Sequence, residues 1–191
     1  MTTITIFGNG SMGGAIAGVL ARGGASIQHI GSADTTATVE GDLVVLAVPY
    51  AALSAITTSY GAQLAGKTVV DITNPLNFET FDALVVPDGS SATAELQKAL
   101  PEAKVLKAFN TNFAATLASG RVGDATTTVL VAGDDTEAKA GLVSAVQAGG
   151  LAAIDAGGLS RAHELEALGF LQLTLAVAEQ VGWNAGFAVI R

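Results

Sequence analysis

Short runs rich in Val, Ile and Leu recur along the chain at residues 43–48, 67–72, 104–109 and 127–132, and shorter segments at 3–7, 26–30 and 151–155 also read as strands. Runs without polar alternation are the mark of parallel strands covered on both faces. Between several of them lie segments whose apolar residues return every three or four positions, at 15–22, 50–60, 93–100 and 136–148, the first closed by Gly23-Gly24. That spacing predicts helices with one buried face. Strands alternating with helices imply right-handed crossovers, and so an α/β fold with a doubly wound, mainly parallel sheet. The connection between the second and third strands has room for two helical turns at most, which leaves that side of the sheet open.

Residues 73–91 lack any period and hold Asn74-Pro75-Leu76, then Phe78 and Phe81. A loop of this length in a compact domain is usually functional, and following the fourth strand it falls at the carboxyl edge, where open α/β sheets bind ligands. Residues 159–182 read as one long helix, polar early at Arg161, His163, Glu164 and Glu166, and apolar on nearly every side from Leu168 onward. A helix apolar all round must be covered. A homodimer through this helix is expected; the alternative is a central helix packed on the protein's own sheet and tail. The chain reads as one domain over 1–191, with a core at 1–150 and a C-terminal strand, long helix and tail at 151–191.

The first two strands and the helix between them frame the turn Gly8-Asn9-Gly10-Ser11-Met12-Gly13. In that context the G-x-G-x-x-G spacing points to dinucleotide binding and a Rossmann-like sheet. Gly8 permits the tight turn, Gly10 lets the backbone approach a pyrophosphate, and Gly13 lets the helix pack on the strand. The helix N-terminus then offers free N–H groups to the phosphates.

With 191 residues the chain is long enough to bury a proper core. A net charge of −8, from nine basic and seventeen acidic residues, speaks against nucleic acid or an anionic membrane as partner. There are no cysteines, which excludes disulfides, thiolate catalysis and Cys-ligated metals. His29 and His163 lie far apart, so no metal site is expected. No leader segment is read at the N-terminus, and the most apolar late stretch, 167–178, is broken by Gln172 and Thr174 and too short to span a bilayer. A cytoplasmic protein acting on a small molecule is expected.

An NAD site would carry an acid at the end of the second strand, where Gly31 and Ser32 stand instead; the nearest acid is Asp34. Ser32 is positioned to donate to a 2′-phosphate, which favours NADP over NAD, although no arginine stands beside it. His29, Thr35 and Thr36 are candidates there too, each with a purely structural alternative.

The segments Gly8 to Gly14, Leu46-Ala47-Val48-Pro49-Tyr50, Val70-Asp71-Ile72-Thr73-Asn74-Pro75, Lys104-Val105-Leu106-Lys107-Ala108-Phe109-Asn110-Thr111 and Asp155-Ala156-Gly157-Gly158-Leu159 resemble, in order and spacing, the NADPH-dependent coenzyme F420 reductases. The resemblance covers almost the whole chain. It implies an NADP(H)-dependent oxidoreductase passing a hydride to a planar acceptor, such as coenzyme F420, a flavin or another small molecule. It further implies that residues 8–13 (Gly8, Asn9, Gly10, Ser11, Met12 and Gly13) hold the pyrophosphate and Ser32 the 2′-phosphate. Val48 and Pro49 would meet the ribose and nicotinamide edge, and the Ala108 backbone the carboxamide. The acceptor cleft would be lined by Asn74, Pro75, Asn110 and Thr111. Hydride transfer needs close face-to-face placement more than a side-chain acid, and no catalytic side chain is assigned. Two departures stand out: Ala33 where many relatives have arginine, and His163 in Ala162-His163-Glu164-Leu165-Glu166 where they often have Ala-Arg-x-Leu-Glu. Lys107 and Asp71 also invite a catalytic reading, but both sit at strand ends and structural roles are favoured. The other class of function is an NADP-binding sensor without turnover.

Overall fold

The structure, a computed structural model, describes residues 2–190. Strand β1 (Thr3–Phe7) leads through α1 (Ser11–Arg22) to β2 (Ser26–Ile30), and an irregular segment without helix leads on to β3 (Leu43–Leu46). A 3-10 turn, Tyr50–Ala52, runs into α2 (Leu53–Leu64), followed by β4 (Thr68–Asp71), α3 (Ala92–Ala99) and β5 (Lys104–Lys107). Then come α4 (Ala114–Ser119), a small hairpin of β6 (Arg121–Val122) and β7 (Ala125–Thr126), β8 (Thr128–Gly133), α5 (Thr136–Ala148), β9 (Ala152–Gly157), a 3-10 turn at Leu159–Arg161 and α6 (Ala162–Val177).

Seven strands form one sheet in the order β2-β1-β3-β4-β5-β8-β9. The order reverses between β1 and β3, so the turn after β1 opens into the crevice of a topological switch point. Every pairing is parallel except β5 with β8, where Leu106 stands opposite Gly133. There α4 packs on α1 and delivers the chain to β8 from the end at which β5 finished, instead of recrossing the sheet. Neither α4 nor the hairpin was expected; both lie in a stretch with no sustained period.

Successive strand residues supply opposite faces. Val45, Val70 and Leu106 pack with Ile16, Leu20, Leu142 and Val146 from α1 and α5. Val44, Val69 and Val105 pack with Leu64 and Leu96 from α2 and α3. Each fully buried Val or Leu is worth about 1.5–3 kcal/mol, which is why these runs hold no alternation. The helix starts are capped locally: Ser91 Oγ accepts from the Ala94 N–H at 3.0 Å, and Asp135 Oδ1 from Ala138 at 2.8 Å.

The C-terminal helix is shorter than its sequence suggests. α6 stops at Val177, and Glu179 takes a left-handed φ of 56°. The buried Gln172 side chain accepts the Phe187 N–H at 3.2 Å, holding the tail back against the helix. Ala162, Leu165, Glu166, Gly169, Gln172 and Ala176 are the buried positions of α6, one stripe at helical spacing. Leu171 and Val177 remain about half exposed. Among the described residues no helix is long and apolar enough to cross a membrane.

Candidate functional site

The turn between β1 and α1 is built by three close approaches. Gly8 has φ +99° and donates its N–H to the Ile30 carbonyl at 2.9 Å; a Cβ there would sit 2.2 Å from the Ala47 oxygen. A Cβ on Gly13 would sit 2.5 Å from the Gly8 oxygen, so α1 can lie this close to β1 only with glycine at that position. His29 Nδ1 lies 3.2 Å from the Gly8 carbonyl, which gives that histidine a structural contact. Gly10 differs from the other two: a Cβ on it would meet nothing within 4 Å. Its open side faces the N-terminus of α1, which has no side-chain cap. Uncapped N–H groups beside open space are what a pyrophosphate requires.

Two cavities flank this turn. The first, about 440 Å³, is lined by Gly8, Asn9, Gly10, Ser32, Val48 and Pro49 among others. Asp34 and Thr35 also line it, and the Asp34 carboxylate accepts the Gly31 N–H at 2.8 Å. Tyr60 closes its floor, its hydroxyl donating to the Asp34 carbonyl and its ring edge-on to Phe7 at 4.9 Å. The second, about 560 Å³, begins at Ser11 and Met12 and runs over Ile72 to Asn74, Asn110, Asn112 and Phe113, with Leu173 of α6 and Trp183 of the tail.

The expected residues thus divide. Gly8, Asn9, Gly10, Ser32, Val48 and Pro49 meet in one cavity, and Ser11, Met12, Asn74 and Asn110 in the other. Gly13 is buried under the turn. Pro75 and Thr111, expected in the cleft, lie outside its lining: both are buried, and the Pro75 carbonyl accepts the Val85 N–H of its own loop at 2.7 Å. Ala108 is fully buried and spends its N–H on the Asp71 carbonyl at 3.2 Å, so that donor is not free for a carboxamide.

Asn74 and Asn110 hold one another. Asn110 Nδ2 donates to Asn74 Oδ1 at 2.9 Å and to the Leu165 carbonyl of α6 at 2.7 Å, while Asn74 Nδ2 donates to the Asn110 carbonyl at 2.8 Å. Phe109 just before them is fully buried with φ 63°, a strained conformation for a bulky residue and one that re-aims the chain at the end of β5.

Behind this wall Asp71 and Lys107, read from the sequence as structural, meet Glu166 in a charged cluster that the sequence did not predict. Lys107 Nζ lies 2.9 Å from Asp71 Oδ2, 2.8 Å from Glu166 Oε1 and 2.6 Å from the Thr73 carbonyl, with all three charged side chains closed to solvent. Thr93 Oγ1 donates to Asp71 Oδ2 at 2.7 Å, and the Ala92 N–H donates to Glu166 Oε2 at 2.9 Å. Burial pushes the Glu166 carboxyl up, and the Lys107 ammonium opposes the rise. Burial also raises Tyr50, with smaller contributions from Glu95, Glu166 and Asp71. The cluster ties α6 to the ends of β4 and β5, and so fixes the helix that supplies the Leu165 carbonyl to Asn110 and Leu173 to the cleft. One signal in the sequence pointed to it: Asp71 and Lys107 are charged residues set near the ends of apolar runs, and the structure makes them register partners in adjacent strands. Glu166 gave no comparable signal.

Comparison with known proteins agrees with this geometry. The sequence profile of the family NADP oxidoreductase, coenzyme F420-dependent, matches residues 25–75, from β2 through β4 to the Asn74-Pro75 corner. Over that stretch the chain is similar to the F420-dependent NADP oxidoreductases. The F420-dependent NADP reductase of Methanocaldococcus jannaschii is 34% identical over 125 residues, 63% of this chain and 55% of that protein. The chain therefore spans about half the length of that curated relative. A candidate F420-dependent NADP reductase from Arthrobacter sp. FB24 superposes with a TM-score of 0.87 at 28% identity, covering the whole of both chains. A hypothetical protein, SMa0349, from Sinorhizobium meliloti superposes with a TM-score of 0.71 at 27% identity over 84% of this chain and 87% of that one.

Proposed function

We propose that the protein is an NADP(H)-dependent oxidoreductase that exchanges a hydride between the nicotinamide and a planar acceptor such as coenzyme F420. The observation that carries this reading is the pair of cavities on either side of the glycine turn. The first takes the adenosine half, with Ser32 toward the 2′-phosphate; the open face of Gly10 and the start of α1 take the diphosphate; the second takes the nicotinamide and the acceptor. When bound, the nicotinamide supplies the hydride. The chain's own part is to orient and to exclude water: Met12, Ile72, Phe113 and Leu173 give apolar walls, and the Asn74–Asn110 pair gives a fixed polar edge. Kinship with reductases and a second cavity beside the turn favour an enzyme over a nucleotide sensor, which needs only the first.

Purified protein with NADPH and a panel of deazaflavins and flavins is expected to oxidise NADPH above background. Gly10→Leu fills the open space over the turn and is expected to abolish binding of both NADPH and NADH by calorimetry while the fold persists by circular dichroism. Undiminished binding by this variant, or no turnover with any acceptor, refutes the reading. A homodimer through α6 belongs to the same proposal, supported by the half-exposed Leu171 and Val177, and sedimentation velocity reads it directly.

A further inference from the structure

The second cavity has an unusual chemical content. Among the described residues that line it, the only hydroxyl is that of Ser11; the other polar side chains are the amides of Asn74, Asn110 and Asn112, and the rest are apolar or aromatic. None is an Asp, Glu, His, Lys or Tyr. The nearby ionisable groups, Asp71, Lys107 and Glu166, are closed off and satisfied by one another. A neutral, isolated C=N or C=O needs a proton delivered as the hydride arrives, because its reduced form localises charge on one atom. This cavity has no side chain to deliver it.

Part of the cavity wall comes from the C-terminal tail. Trp183, the single tryptophan of the chain, lines the cavity with its ring centroid 5.0 Å from that of Phe113 and the two planes at 54°. The tail that carries it is tied down by the hydrogen bond from the Phe187 N–H to Gln172. A large aromatic ring left about half exposed at a cavity rim offers a flat surface of low conformational cost.

Resting on the function proposed above, we infer that Trp183 is the stacking surface for the acceptor, and that the cavity selects an extended conjugated ring over an isolated imine or carbonyl compound. The redox balance then closes without a protein acid. The C–H bond of the reduced nicotinamide breaks as a C–H or N–H bond forms on the acceptor ring. The electron pair displaced within the ring spreads over its conjugated system, and the one proton that completes the reduction comes from water.

The test uses the full chain loaded with NADP⁺ and 5-deazariboflavin as the probe. Saturable quenching of Trp183 fluorescence is expected, with a dissociation constant matching calorimetry. Trp183→Ala is expected to weaken probe binding about tenfold, with Trp183→Phe restoring it to within about threefold and NADPH affinity moving less than threefold in either variant. With NADPH at pH 9, where the cyclic imine 1-pyrroline is neutral, that imine is expected to be a far poorer substrate than the probe. Unchanged probe affinity in Trp183→Ala overturns the inference, and so does 1-pyrroline reduced with a kcat/KM equal to the probe's; in both cases nucleotide binding still stands. Failure of the unaltered protein to bind NADPH overturns the underlying reading and this inference with it.

Discussion

The buried cluster at the ends of β4 and β5 makes a quantitative prediction. Lys107→Met keeps the shape of the side chain but removes the one cation that Asp71 and Glu166 face at 2.9 and 2.8 Å. The two carboxylates are then left in a site closed to solvent. Breaking a buried pair this way costs about 3–5 kcal/mol, a large part of a typical total stability of about 5–15 kcal/mol. Glu166→Gln is the control: it leaves Lys107 paired with Asp71 and turns one acceptor into a donor, at a cost of about 1–3 kcal/mol. The pH dependence separates charge from packing. In Lys107→Met the folded state favours protonated carboxyls, so it binds more protons than the unfolded chain and its stability falls as pH rises. Each extra proton is worth about 1.4 kcal/mol per pH unit, so moving from pH 7 toward pH 5.5 recovers about 2 kcal/mol of the deficit. The unaltered protein shares the sign more weakly, since the raised Glu166 contributes stability below its unfolded value that is lost as pH climbs through its folded one. Urea unfolding followed by far-ultraviolet circular dichroism at pH 5.5, 7 and 8 measures all of this. A Lys107→Met deficit below about 1 kcal/mol, or one that does not change with pH, refutes the reasoning.

Two further predictions concern the cleft. A Cβ on Gly169 would lie 2.3 Å from Asn74 Oδ1, so Gly169→Ala is expected to push Asn74 off Asn110, to cost about 1–3 kcal/mol in urea, and to lower turnover with little change in NADPH affinity. Ser32→Asp sets a carboxylate beside the proposed 2′-phosphate position and is expected to weaken NADPH far more than NADH by calorimetry; equal losses would remove Ser32 from that role.

The strands, the glycine turn and four of the helices were legible in the chain because each rests on local chemistry. Apolar runs such as Leu43 to Leu46 have no polar position that could face water, and Gly8 and Gly13 stand where any side chain would meet backbone. The end of α6 was not legible: Leu168 to Val177 stays apolar past the last packed turn, and only the Gln172–Phe187 bond shows where the tail folds back. Nor were α4, the β6–β7 hairpin and the antiparallel direction of β8, which depend on how the chain re-enters the sheet. In the site, the residues following β1 and β4 could be named from the sequence, since the carboxyl edge of a parallel sheet gathers whatever follows its strands. The partners drawn from far along the chain could not. Glu166 meets Lys107, Leu165 holds Asn110 and Trp183 walls the second cavity only because α6 lies across that edge, and contacts between residues tens of positions apart carry no local period. Local pattern thus determined where a dinucleotide is expected to lie, while long-range packing decided what faces its reactive end.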